Sequence, residues 1–196
     1  MLLPIVQAGE PVLRCRGRSL SPQQIRSKEI QKLIEHMRET MRGAPGVGLA
    51  APQIGLSLQI AVIEDRKEYH KEVTAEQLAL RERKPVAFHV VINPTIRVAQ
   101  DDPRVEFFEG CLSLPGFFAL VPRSRNVRVE CLDHHGHSKT IDASGWYARI
   151  LQHEIDHLYG NLYIDHMHSR SFSSKENWEK FWKGKPVGEV RSELAC

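Results

Sequence analysis

The stretch Ser144 to Gly160, SGWYARILQHEIDHLYG, constrains the chain most, because it reads as one helix that brings two histidines together. Ser144 is placed to cap its start and Gly160 to end it. His153 and His157 lie one turn apart, so both imidazoles leave the same face and can hold one metal ion between them. Glu154 stands beside the first. In a His-Glu-x-x-His arrangement such a carboxylate, itself not a ligand, can take a proton from a water and pass it on. Trp146 and Ile150 precede the histidines on that face and make an apolar stripe leading to them. A buried imidazole pair needs a partner, and one metal serves both. The pattern points to a metal-dependent hydrolase.

A catalytic site of this kind takes three protein ligands and keeps one position open. The place where a longer form of the motif puts a third histidine, after Gly160, holds Tyr163. Glu176 or Glu179 stands at the distance of the downstream Glu ligand of thermolysin-like peptidases, although KENWEKFWK reads more simply as a charged amphipathic turn. Upstream, Cys111 lies in Glu109 to Ser113, EGCLS, an apolar run suited to a loop or strand end, where a thiolate could approach a helix face. A buried structural cysteine is the commoner alternative. Gly46 to Gln53, GVGLAAPQ, follows Pro45 and ends on an amide donor. Its small residues let the backbone come close to an extended ligand and pair with it, while the plainer reading is a turn between helix and strand.

Together and in this order, GVGLAAPQ, EGCLS and HEIDH resemble the motifs of the peptide deformylase family. The likeness runs from QAGEPVLR near the start, through INP at Ile92 to Pro94, to GNLYIDHM after the helix. The wording of FFEGCLSLPGF and of the helix looks most like the deformylases of eukaryotic organelles. The resemblance implies a single domain of antiparallel β-sheets packed around a central metal-binding helix. It implies Cys111, His153 and His157 as ligands of one divalent ion, Fe(II) or Zn(II), with Co(II) or Ni(II) able to substitute. Glu154 would move the proton, and the Gln53 amide with the Leu112 backbone N–H would stabilise the oxyanion. Pro45, Gly46, Val47, Gly48 and Gly110 would bind the peptide main chain, and Val47, Trp146 and Ile150 the methionine side chain. Arg149 lies next to that face without a role. The implied reaction removes the formyl group from the N-terminal formylmethionine of nascent polypeptides, at the ribosome, releasing formate. The resemblance also admits a homodimer.

The 196 residues suffice for one domain with a real core. Apolar content of 41% and charged content of 26% exclude a disordered chain. A net charge of +3, without a basic block interleaved with aromatics, does not argue for nucleic-acid binding. Cys15, Cys111, Cys131 and Cys196 lack framework spacing, which fits a reducing compartment. No stretch reads as a membrane span or signal peptide, so a mitochondrial or plastid protein would have lost its transit peptide, and a bacterial one would be cytoplasmic. The catalytic unit is expected at 1–172, with a tail of unknown role at 173–196.

The pattern along the chain predicts an extended arm over Leu3 to Arg14. A helix then starts at Ser21-Pro22-Gln23-Gln24, carries Ile30, Leu33, Ile34, Met37 and Met41, and closes at Gly43. Gln59 to Glu64 and Val86 to Ile92 read as strands, the second stopped by Asn93-Pro94. Thr74 to Gln77 opens a short polar helix in an exposed insertion. Val105 to Phe108 leads into EGCLS, and Val121 to Leu132 with Ser138 to Ile141 reads as a hairpin. His134, His135 and His137 then sit at its tip rather than forming a metal tract. Helices and strands mix without a βαβ rhythm, which gives an α+β class.

Overall fold

The stretches of clearest hydrophobic periodicity become the framework of the chain, and the computed structural model describes residues 2–44, 46–71 and 73–195. In order they are helices α1 (Pro22–Ile25) and α2 (Lys28–Gly43), strands β1 (Gly48–Ala50) and β2 (Ile60–Asp65), helix α3 (Ala75–Leu80), strands β3 (Val86–Arg97), β4 (Arg104–Cys111), β5 (Leu114–Ser124), β6 (Asn126–Leu132) and β7 (Ser138–Ser144), helix α4 (Gly145–Leu158), strand β8 (Ser173–Ser174), and helices α5 (Lys175–Asn177) and α6 (Val187–Leu194). A five-stranded antiparallel sheet has the order β1-β2-β3-β6-β7, and a second sheet the order β4-β5-β8. The class is α+β.

Alternation along β2 and β3 explains how one sheet carries two helices. Ile60, Val62, Val90 and Ile92 face Ile34, Met37 and Met41 of α2. Ile63 and Val91 face the other way, onto Ala148, Ile150, Leu151 and Ile155 of α4. Each buried Val, Leu, Ile or Met side chain among these contributes about 1.5–3 kcal/mol of transfer free energy. The opposite side of α4 meets the β4–β5 hairpin, so the helix lies between the two sheets.

Helix α4 spans the predicted stretch, but Ser144 makes no side-chain cap. The backbone does that work: the amides of Gly145 and Trp146 donate to the carbonyls of Arg125 and Arg81, at 2.8 and 2.9 Å. At the other end Gly160 adopts φ +83° and the chain turns away, as predicted.

Elsewhere the chain departs from its sequence reading. The single helix expected from Ser21 to Gly43 is two, because Ser27 accepts from the Ile30 amide and caps α2 afresh. The capping box at Ser21 is present. The N-terminal arm is extended only to its middle, and Pro11–Arg14 forms a 3-10 turn. Strand β3 does not stop at Asn93-Pro94 but bulges there: Asn93 takes φ +49°, which asparagine tolerates, and its amide group bonds both N–H and C=O of Leu20. The run Val121 to Leu132 divides at Arg125 between β5 and β6, which belong to different sheets. The β6–β7 hairpin forms with the histidines at its tip, where Asp133 accepts from the amides of His135 and His137.

The segment around α3 is not simply exposed. Its capping box at Thr74 forms, but Arg83 then makes a two-pronged ion pair with the fully buried Asp65, at 2.7 and 2.8 Å. The tail packs as well, with Ser173 and Ser174 pairing with Phe118 and Phe117 of β5. The arm ties two site segments together: Val6 N donates to Gln53 O and Ala8 N to Ser113 O, at 2.9 and 2.7 Å.

Candidate metal centre

Cys111 ends β4, at the rim of the hairpin that covers α4, and so meets the face from which His153 and His157 project. The three side chains offer donor atoms within 4.8 Å of one another. Cys111 Sγ lies 3.3 Å from His157 Nε2, and the two imidazole rings stand nearly perpendicular at 82°. His153 is oriented by Glu109, whose Oε2 is 3.0 Å from Nδ1, which leaves Nε2 for the cluster. An imidazole so held, a thiol and a second imidazole are a donor set that fits a single divalent cation. Among the described residues no other such cluster occurs. Glu176 and Glu179, the alternative ligands, are on the surface outside it.

The electrostatics suit ligation. Burial pushes the Cys111 thiol up, but the imidazoles of His157 and His153 outweigh it and bring the thiol to about 5. Burial pushes the Glu154 carboxyl up to about 7, against the pull of the two histidines. Glu154 is 4% exposed and its Oε2 has no hydrogen-bond partner among the described residues, so a buried acceptor waits beside the donor cluster.

Behind the histidines lies a charged hub that the sequence did not reveal. Glu109 accepts from Arg123 through both oxygens at 3.0 Å and from Arg149 at 2.6 Å, besides His153. Burial raises the Glu109 carboxyl, but Arg123 and His153 together hold it well below the usual carboxylate range. Arg149, unplaced by sequence, also donates to the carbonyls of Val121 and Val105, at 2.9 and 2.6 Å. Arg123 continues the chain of charges to Asp156 on α4.

A cleft of about 440 Å³ opens in front of the cluster. Gly46, Val47, Gly48, Gln53, Gly110, Leu112, Trp146, Ile150 and Glu154 line it with Cys111 and His153, so nearly all the residues singled out by sequence meet there. His157 sits behind. Pro45 lies outside the described residues. Gln53 is buried, its Oε1 accepting from the Ala50 amide at 2.9 Å while Nε2 lies 3.4 Å from Cys111 Sγ and 3.3 Å from Ser113 Oγ. Gly48 packs on Glu154: a Cβ there would come within 2.6 Å of Glu154 Cγ and closer to its carboxylate. Sequence reasoning missed Arg81, Phe108, Phe118 and Trp178, which also line the cleft.

A helix bearing His-Glu-x-x-His between two antiparallel sheets, with a strand-end cysteine facing it, defines a class of α+β protein whose donor cluster fits one metal ion. The sequence pattern of the polypeptide deformylase family matches residues 2–173. The chain is 48% identical over 173 residues to chloroplastic peptide deformylase 1A of Solanum lycopersicum, covering 88% of this chain and 62% of that protein. It is also 48% identical over 180 residues to peptide deformylase 3 of Streptomyces avermitilis, covering 92% and 78%. A solved class I type b peptide deformylase from Acinetobacter baumannii, bound to Met-Ala-Ser, superposes with a TM-score of 0.74 at 28% identity, over 85% of this chain and 99% of that one. The chain belongs to the polypeptide deformylase family, a metal-dependent family. It spans just under two thirds of the tomato relative it matches.

Proposed function

We propose that the chain removes the formyl group from the N-terminal formylmethionine of newly made polypeptides, releasing formate. The observation that carries this reading is the buried, unpartnered Oε2 of Glu154 beside the donors Cys111, His153 and His157. Those three residues would hold one divalent cation, Fe(II) or Zn(II), with Co(II) or Ni(II) acceptable to the same donors. The cation, when bound, supplies a Lewis acid that makes a nearby water more acidic.

Glu154 takes that water's proton at Oε2 as the oxygen attacks the formyl carbon. Gln53 Nε2 and the Leu112 backbone N–H donate to the oxygen on which negative charge develops. Glu154 then gives the proton to the departing amine, which leaves as a free N-terminal methionine. The peptide backbone adds as a strand between Gly46–Gly48 and Gly110, and the methionine side chain enters beside Val47, Trp146 and Ile150. Residues 1–172 form the catalytic unit. The substrate is met on nascent chains at the ribosome, in a mitochondrial matrix or plastid stroma for a eukaryotic protein and in the cytoplasm for a bacterial one. A homodimer is compatible with this reading.

Formate release from formyl-Met-Ala-Ser tests it, on protein purified without oxygen and with metal content measured. Glu154→Gln is expected to keep metal and fold while activity falls at least a hundredfold, and Cys111→Ala to lose both metal and activity. Full activity in Glu154→Gln, or no release by metal-loaded wild type, would sink the proposal.

A further inference from the structure

The family pattern ends at residue 173, yet Trp178, beyond it, lines the cleft. The segment is brought there by β8, which pairs with Phe117 and Phe118. The Trp178 ring stacks on Phe118, with centroids 4.5 Å apart and planes at 18°, and meets Phe108 edge-on at 6.2 Å. Phe118 in turn lies against Gly110, where a Cβ would come within 2.8 Å of its ring.

The direction of side chains along β4 shows what this aromatic group faces. Glu109 points to α4, where it holds His153, and Phe107 points the same way, its ring 6.0 Å from that of Trp146. Phe108 and Gly110 therefore face the opposite side of the sheet, the side occupied by Phe118 and Trp178. Strand β4 is terminal in the order β4-β5-β8, so its other edge is open to an added strand.

A peptide paired along that edge alternates in the same way. Its methionine side chain enters on the α4 side, beside Trp146 and Ile150, and its next side chain projects to the other face. We propose that Trp178 is a specificity-determining residue that, with Phe108, receives the side chain following the formylmethionine, and that the preferred residue there is apolar, above all aromatic. The inference rests on the deformylase reading and adds a subsite to it. Phe118 covers one face of the indole, Lys183 Nζ stands over the ring and Nε1 is buried, so the part of Trp178 left uncovered and the Phe108 ring are the surface offered, to which an aromatic side chain packs by offset or edge-to-face contact.

The test is kcat/KM for formyl-Met-X-Ser with X as Phe, Leu, Ala or Asp, on wild-type, Trp178→Leu and Trp178→Phe holoenzymes, with melting temperatures alongside. Wild type is expected to prefer Phe over Ala by about fivefold, the scale of one aromatic pair. That ratio falls toward one in Trp178→Leu and is largely kept in Trp178→Phe. A general loss of fold would lower all four substrates together and leave the ratio intact, which overturns the proposal. So does a wild type indifferent to X, or one that prefers Asp, which would assign the effect to Lys183, whose Nζ lies 5.6 Å from the indole centre. If wild type releases formate from none of the four, the deformylase reading fails and the subsite with it. Activity without discrimination overturns the subsite alone.

Discussion

Replacing Gly48 by Ala tests the site with one methyl group. Gly48 lies in β1 with no positive φ, so the backbone accepts alanine without strain and the effect is steric. The new Cβ would stand 2.6 Å from Glu154 Cγ, whereas carbon atoms pack at about 3.5–4.0 Å, so the side chain must retreat by about 1 Å. The atoms that must give way are the end of the Glu154 side chain, so its carboxylate leaves the position from which it reaches the substrate water. A misplacement of about 1 Å costs roughly a hundredfold in rate, or about 2.7 kcal/mol of barrier. Crowding itself costs about 1–3 kcal/mol of stability. The assay is kcat/KM on formyl-Met-Ala-Ser, with metal content and melting temperature measured on the same sample. Because Cys111, His153 and His157 are untouched, metal should be retained. A folded, metal-loaded Gly48→Ala enzyme within about threefold of wild type would refute the placement of Glu154.

The Glu109 hub gives a second prediction. Glu109→Gln leaves Arg123 and Arg149, at 5% and 3% side-chain exposure, without their carboxylate, so stability should fall by about 3–5 kcal/mol in chemical denaturation. Turning the carboxylate that faces His153 Nδ1 into a neutral amide should also weaken metal binding by about 10–100-fold in chelator competition. A third concerns pH. The hydrogen bond from Arg42 lowers the Glu64 carboxyl below its ordinary value, so the pair stabilises the fold above the unfolded carboxylate pKa, and that contribution is lost as pH falls through the lowered folded value. Arg42→Ala should therefore depress the melting temperature at pH 7, and the depression should shrink as pH falls through the lowered Glu64 value. A depression that stays the same as pH falls would show that the guanidinium acts by packing.

Much of the site was legible in the sequence because its parts are local. One helical turn separates His153 from His157, and Gly46 to Gly48 and Cys111 sit in short runs whose composition is itself a signal. The Glu109 hub was not legible, since its partners Arg123, His153 and Arg149 lie on other elements and no periodicity links them. Trp178 was hidden for a similar reason. KENWEKFWK reads as a solvated amphipathic turn, and only the pairing of Ser173 and Ser174 with β5 carries the indole to the cleft. The Ser144 cap failed because carbonyls from distant segments reached the helix amides first. Strand β3 outran its predicted stop because the Asn93 side chain found both backbone groups of Leu20, a contact that no local rule anticipates.

The N-terminal arm bonds to both walls of the cleft at once, through Val6 to the Gln53 carbonyl and Ala8 to the Ser113 carbonyl. Those two amides exchange with deuterated solvent only when the arm lifts from the wall that holds it. Measured in one spectrum, their protection factors give the opening free energy of each wall separately, and a substrate that clamps the walls together would raise both without touching either.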